Sequence, residues 1–177
     1  MTTLNGKLFE NKTNNEVRLK NNGYTEKRLS ESGKYNYYLS KTLENNIKIT
    51  FLIQQGLKKY MKNQYDIDIH RYPDEAYIIE HNEKKILEKK AQCVEGSVEG
   101  KLWSGHGFLR DYQLQCKDFE VTYCFCVNDF LKTKILSDTQ KYKNLNIIWK
   151  ELNISVLFGE DDNYFETLDS WILSNLE

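Results

Sequence analysis

The sequence predicts a mixed α/β domain, with helices packed around one central mixed sheet. Three observations lead there. Apolar residues recur at threes and fours in some stretches and at twos in others, so helices and strands alternate. The 177 residues suit one domain. A single proline, Pro73, and the lack of any Gly/Ser linker leave no internal boundary, so one domain over 1–177 is expected.

Residues 1–25 are polar and Asn-rich, which predicts an irregular segment. From Ser32 to Asn63, Leu43, Ile47, Phe51, Leu57 and Met61 follow a helical spacing, with a break expected near Asn45-Asn46 or Gly56. The period then changes to two. Ile67, Ile69 and Arg71-Tyr72 read as a short strand leading to Pro73, whose missing N–H suits a strand edge or start. Ala76–Ile79 and Lys85–Ala91 read as the arms of an antiparallel hairpin with its turn at 81–84. Phe108–Cys116 reads as a helix. Phe119–Val127 is the strongest strand signal, with packable side chains on both faces, as a central strand requires. Ser137 is placed to cap a helix reaching Leu152, with Tyr142, Leu145, Trp149 and Leu152 on one stripe. Ile154–Phe158 is a further strand. Asp161-Asp162 then opens a last helix carrying Phe165, Leu168 and Ile172, with its carboxylates at the positive helix end.

Composition excludes several classes. At 40% hydrophobic the chain can build a core. No run nears the ~18 apolar residues of a membrane span, and the opening Met1–Gly6 shows no secretory signal core, so no membrane partner is expected. The four cysteines (Cys93, Cys116, Cys124, Cys126) form neither CxxC nor a disulfide framework, which predicts reduced thiols and a cytoplasmic protein. Without GxxxxGK[ST] no nucleotide cofactor is expected. The three histidines lack metal-ligand spacing, and Cys124-x-Cys126 reads as buried packing.

The net charge of −1 conceals an asymmetry. Residues 1–62 hold 12 lysines and arginines against 5 glutamates, a balance of +7, while residues 151–177 hold 7 carboxylates and no basic side chain. A polyanion-binding face on the N-terminal side fits this, with the C-terminal helix turned away; lysines scattered around a solvated helix fit it equally.

The hairpin carries the candidate chemistry. Around a turn centred near Asn82-Glu83, Asp74 falls roughly opposite Ala91, at the same end as Glu88 and Lys90. Those two stand two apart on a strand and so share a face. Two carboxylates suit Mg²⁺, which keeps several waters and accepts phosphate oxygens. The metal makes a bound water far more acidic than its bulk pKa of ~15.7, and a neighbouring ammonium stabilises charge on the phosphate. An exposed edge hairpin with a solvated face of alternating charge has the same pattern. Glu-x-Lys also occurs at Glu10, Glu83 and Glu99, but of these four only Glu88 lies after Pro73-Asp74 and follows an apolar strand core, Ile86-Leu87.

Pro73-Asp74, a hairpin, then Glu88-Lys89-Lys90-Ala91-Gln92 resembles the PD-(D/E)xK nuclease superfamily, and is most similar to type II restriction endonucleases. The resemblance covers the middle half of the chain, where the order helix, three-strand meander, helix, strand agrees with a restriction-endonuclease-like core. It implies that Asp74, Glu88 and the Lys89 carbonyl hold Mg²⁺, with Mn²⁺ substituting, and that Lys90 is the catalytic lysine. Gln92, on the strand face of Glu88 and Lys90, would position water or phosphate. Many members add a glutamate from the first helix; Glu31 and Glu44 are the candidates here. The implied activity is Mg²⁺-dependent hydrolysis of double-stranded DNA by a homodimer, one active site per strand of a palindrome. A structure-specific phage or repair nuclease and a non-catalytic DNA-binding domain are the alternatives. Basic side chains among aromatics at Lys34, Lys58, Lys59 and Lys62 are candidate phosphate contacts. Lys101 and Arg110 bound a glycine-containing stretch expected as a DNA-facing loop, with Arg110 able to address guanine.

Overall fold

The computed structural model describes residues 4–79, 83–90 and 98–174, with residues 4, 5 and 83–90 as backbone only. Its elements are α1 (Leu4–Lys12), α2 (Glu16–Asn21), β1 (Thr25–Arg28), β2 (Tyr37–Thr42), β3 (Lys48–Leu52), α3 (Gln55–Tyr65), β4 (Glu75–Ile79), β5 (Glu83–Lys90), α4 (Val98–Trp103), α5 (Gly105–Gln115), β6 (Glu120–Val127), α6 (Asp129–Ile135), α7 (Gln140–Glu151), β7 (Ile154–Phe158) and α8 (Tyr164–Leu173). The chain is mixed α/β, as its periodicity predicts. It divides into two compact units, one of Asn14–Leu87 with Leu109–Thr122 and the other of Met1–Thr13, Glu88–Phe108 and Tyr123–Glu177.

The first unit is built on an antiparallel meander in which β1, β2, β3, β4 and β5 pair in chain order. This corrects the long helix expected from Ser32 to Asn63, of which only α3 is helical. The spacing of Leu43, Ile47 and Phe51 fits either structure. β-Branched Ile47, Ile49 and Thr50 favour strands, and Asn45-Asn46 supplies a hairpin turn. Asn46 takes φ 64°, Leu43 N donates to Ile47 O at 2.8 Å, and the Asn45 carboxamide accepts from Ile47 N at 3.3 Å. Ile49 to Leu52 are buried on both faces, so the alternation that marks a half-exposed strand is absent. Leu39, Phe51 and Tyr77 line up across β2, β3 and β4 as a fully buried row, with the two rings 5.3 Å apart.

Helix α3 buries Leu57, Tyr60 and Met61. It lies so close to the meander that a Cβ at Gly56 would come within 2.8 Å of the Tyr35 carbonyl oxygen, which explains the glycine. Residues 67–72 form no strand. Their polar groups pair with α5 instead: His70 N donates to Gln115 Oε1 at 3.1 Å and Arg71 Nε to Asp111 Oδ2 at 3.3 Å. Residues 1–25, expected to be irregular, contain α1 and α2 and reach the first residue of β1.

In the second unit the buried stretch of β6 pairs in parallel with β7, Tyr123 opposite Ile154 through Val127 opposite Phe158. A parallel pair requires a long crossover, which α6 and α7 provide. Asn128 caps α6 by accepting from Leu131 N at 3.4 Å. Helix α7 starts at Gln140 with Thr139 in the N-cap position, so Ser137 is not its cap and bonds the Thr139 hydroxyl instead. Tyr142, Leu145 and Trp149 are buried as predicted, whereas Leu152 is exposed. Helix α8 begins at Tyr164, after Asp161-Asp162. Asp161 there pairs with Lys132 at 2.5 Å.

Candidate functional site

Strand β4 arises from five consecutive residues, Glu75 to Ile79, all buried. It lies between β3 and β5 and is therefore interior to the meander, not an edge strand. Pro73 falls before the ladder begins, where its missing N–H costs no pairing. Its carbonyl does pair, accepting from Gln54 N at 3.2 Å. Asp74 follows, half-buried, at the entry to the strand.

The hairpin is tighter than the sequence suggests. Ile79 pairs with Glu83 and Glu75 with Leu87, leaving three residues, 80–82, between the strands. The expected turn at 81–84 had put Asp74 opposite Ala91. In the observed register Asp74 and Glu88 are each the next residue along the chain beyond the Glu75–Leu87 pair, and Lys90 is the last residue of β5. The backbone of Glu88, Lys89 and Lys90 thus belongs to β5, as the sequence predicts; their side chains and Gln92 lie outside the described residues. Among the described residues no group of three His, Cys, Asp or Glu is arranged to hold a metal.

Other candidates are rearranged. Glu31 lies in the bend after β1 and Glu44 in the turn between β2 and β3, so neither is a first-helix glutamate. Lys34 is exposed in the β1–β2 connection with its ammonium 5.0 Å from the Tyr35 ring centroid. Lys58 and Lys59 are on α3. Lys62, also on α3, pairs with Asp66 at 2.7 Å and Asp68 at 3.1 Å, which holds its ammonium pKa above the ordinary value and offsets its charge. Lys101 and Arg110 are exposed but stand on α4 and α5, not in a loop. Gly105 serves packing there, since a Cβ would lie 2.7 Å from the Phe125 ring. Arg110 donates to Gln113 at 3.3 Å.

The rival Glu-x-Lys at Glu99 is helical. On α4, Glu99 accepts from Lys134 at 2.8 Å and from Lys141, and these two lysines push its carboxyl down to about 2. A carboxylate so occupied is an ion-pair anchor between α4 and the α6–α7 pair.

Sequence reasoning missed one polar arrangement. Glu75 is only 3% exposed, and its carboxylate accepts from the Tyr77 hydroxyl at 2.6 Å. That hydroxyl accepts from Asn15 Nδ2 at 2.9 Å, and Asn15 Oδ1 accepts from Arg18 Nε at 2.7 Å. Burial first, and then the Glu75 charge, hold the Tyr77 pKa well above the ordinary phenol value, so the hydroxyl stays a donor. The available signal was a carboxylate two residues from a tyrosine inside an otherwise apolar strand.

Comparison with known proteins adds no relative: no family model, curated protein or solved structure matches the chain.

Proposed function

We propose that the chain is a Mg²⁺-dependent DNA endonuclease with a restriction-endonuclease-like core of the PD-(D/E)xK type, acting as a site-specific homodimer on double-stranded DNA. The observation that carries this reading is the β4–β5 register. Pro73-Asp74 leads into the interior strand β4, Glu88-Lys89-Lys90 closes its partner β5, and the last described pair, Glu75 with Leu87, is one residue inside both carboxylates. Helices α4 and α5 and the strand β6 follow β5 along the chain, which supports the reading for the part of such a core that comes after the hairpin.

The donor set suits the metal: two carboxylates and the Lys89 carbonyl are hard oxygen ligands that leave positions for water and phosphate. The chemistry that bound Mg²⁺ would supply is polarisation of the scissile phosphate and a more acidic attacking water. Asp74 and Glu88 would supply the metal's negative ligands. The Lys90 ammonium, two residues from Glu88, would orient the attacking water and stabilise charge building on the phosphate oxygens.

Incubation of the purified protein with supercoiled plasmid and linear duplex tests the reading. Cleavage is expected with Mg²⁺ or Mn²⁺, little with Ca²⁺, and none in excess EDTA. Asp74→Ala, Glu88→Ala and Lys90→Ala should each abolish it while the fold persists. Discrete bands identify a site-specific enzyme, junction or nicked products a structure-specific one, and binding without cleavage a non-catalytic DNA-binding domain. Full activity in EDTA refutes the metal mechanism.

A further inference from the structure

Asp74 is flanked in the chain by two anchors. On its N-terminal side, the Pro73 carbonyl is held by Gln54 N. Gln54 itself sits at φ 41°, ψ −119°, a conformation that L residues rarely adopt. A non-glycine residue is kept there only where its surroundings over-determine the backbone. On the C-terminal side, Glu75 is gripped by Tyr77, and Tyr77 by Asn15 and through it Arg18. Asp74 is the bend residue joined directly to Glu75 at the start of β4, so fixing Glu75 on one side and Pro73 on the other limits the positions open to residue 74. The four side chains span 62 residues of sequence between Asn15 and Tyr77. A buried carboxylate is a costly way to secure a strand that apolar packing alone would hold. That cost suggests that orientation, rather than stability, is what the chain of hydrogen bonds serves.

We propose that Glu75, Tyr77, Asn15 and Arg18 form a hydrogen-bonded chain that positions Asp74 as a divalent-metal ligand, with the Gln54–Pro73 bond as its second anchor. In this proposal the four act through Asp74 rather than on the metal or the DNA. They are positioning residues, and their role rests on the reading of Asp74 as a ligand given above.

The test measures Mn²⁺ binding to the full chain by electron paramagnetic resonance, alongside Mn²⁺-supported DNA cleavage. The wild type should bind Mn²⁺ and Asp74→Asn should lose that binding. Tyr77→Phe and Glu75→Ala should weaken it ~10-fold or more, as removal of partners that orient a ligand does. Glu75→Gln, which keeps an acceptor for the Tyr77 hydroxyl, should stay within ~3-fold of wild type by the same reasoning. Asn15→Ala, which leaves Tyr77 in the core, covers the case in which Tyr77→Phe does not fold. In an Asp74→Asn background, Tyr77→Phe should produce no further loss. Wild-type Mn²⁺ affinity in folded Tyr77→Phe or Asn15→Ala overturns the proposal, as does a wild type whose Mn²⁺ binding does not depend on Asp74. A wild type that binds Mn²⁺ through Asp74, with the expected weakening in the variants, but cuts no DNA sustains the positioning role and removes the nuclease reading.

Discussion

Glu99→Gln separates the two Glu-x-Lys candidates and has a worked energetic consequence. Glu99 is 14% exposed, Lys134 20% and Lys141 51%. The two ammonium groups lower its carboxyl from 4.5 to about 2. A depressed folded-state value means that the stabilisation is complete above the ordinary carboxylate range and disappears as pH falls through about 2. One partner is half in solvent, so screening removes much of the nominal gain, and a net of ~1–2 kcal/mol at neutral pH is the expected scale. With a urea slope of ~2 kcal/mol/M, Glu99→Gln should lower the unfolding midpoint at pH 7 by ~0.5–1 M with the slope unchanged. At about pH 3 the deficit should shrink to less than half, because the unfolded carboxyl is by then largely protonated. Plasmid cleavage by the same variant should match wild type, whereas Glu88→Gln should abolish it. An unchanged midpoint at pH 7, or a deficit that persists at low pH, would refute the ion-pair reasoning. Loss of cleavage in Glu99→Gln with retention in Glu88→Gln would move the candidate site to α4.

Two further outcomes are expected. Neutral substitutions at Lys34, Lys58 and Lys59 should each flatten the slope of log K against log salt for duplex DNA by up to ~0.9. Lys62→Gln should change it less, since Asp66 and Asp68 already offset that charge; equal effects from all four lysines would show that these pairs open when DNA binds. Gln54→Gly should raise the urea midpoint, because glycine takes φ 41° without the penalty. Relief of ~1–3 kcal/mol of strain outweighs the ~0.5–1 kcal/mol of extra unfolded-state freedom. A lower midpoint would mean that the Gln54 side chain holds the turn.

Elements whose periodicity is strong and local are legible along the chain. Strand β6, strand β7, the buried stripe of α7, and the two arms β4 and β5 of the hairpin all stand close to where period and composition put them. The sequence also singled out Pro73-Asp74 and Glu88-x-Lys90, because a proline before an apolar strand and a charged triplet after Ile86-Leu87 are contrasts visible without any contact. What depends on burial from two sides emerged only with the packing of the chain. Residues 37–52 read as a helix because β3 is buried on both faces and β2 is buried only at Leu39 and Ser40, so neither alternates, and the apolar spacings left are ones a helix also satisfies. The strand register was likewise out of reach: Ile79 pairs with Glu83 and Glu75 with Leu87, a shift of three residues from the pairing that a turn centred near Asn82-Glu83 implies. Most remote of all was the Glu75–Tyr77–Asn15–Arg18 chain, whose members are separated by up to 62 positions. Only folding brings the carboxamide of Asn15, the residue before α2, within 2.9 Å of a β4 hydroxyl, and hydrogen bonding, unlike periodicity, does not name its distant partner along a chain.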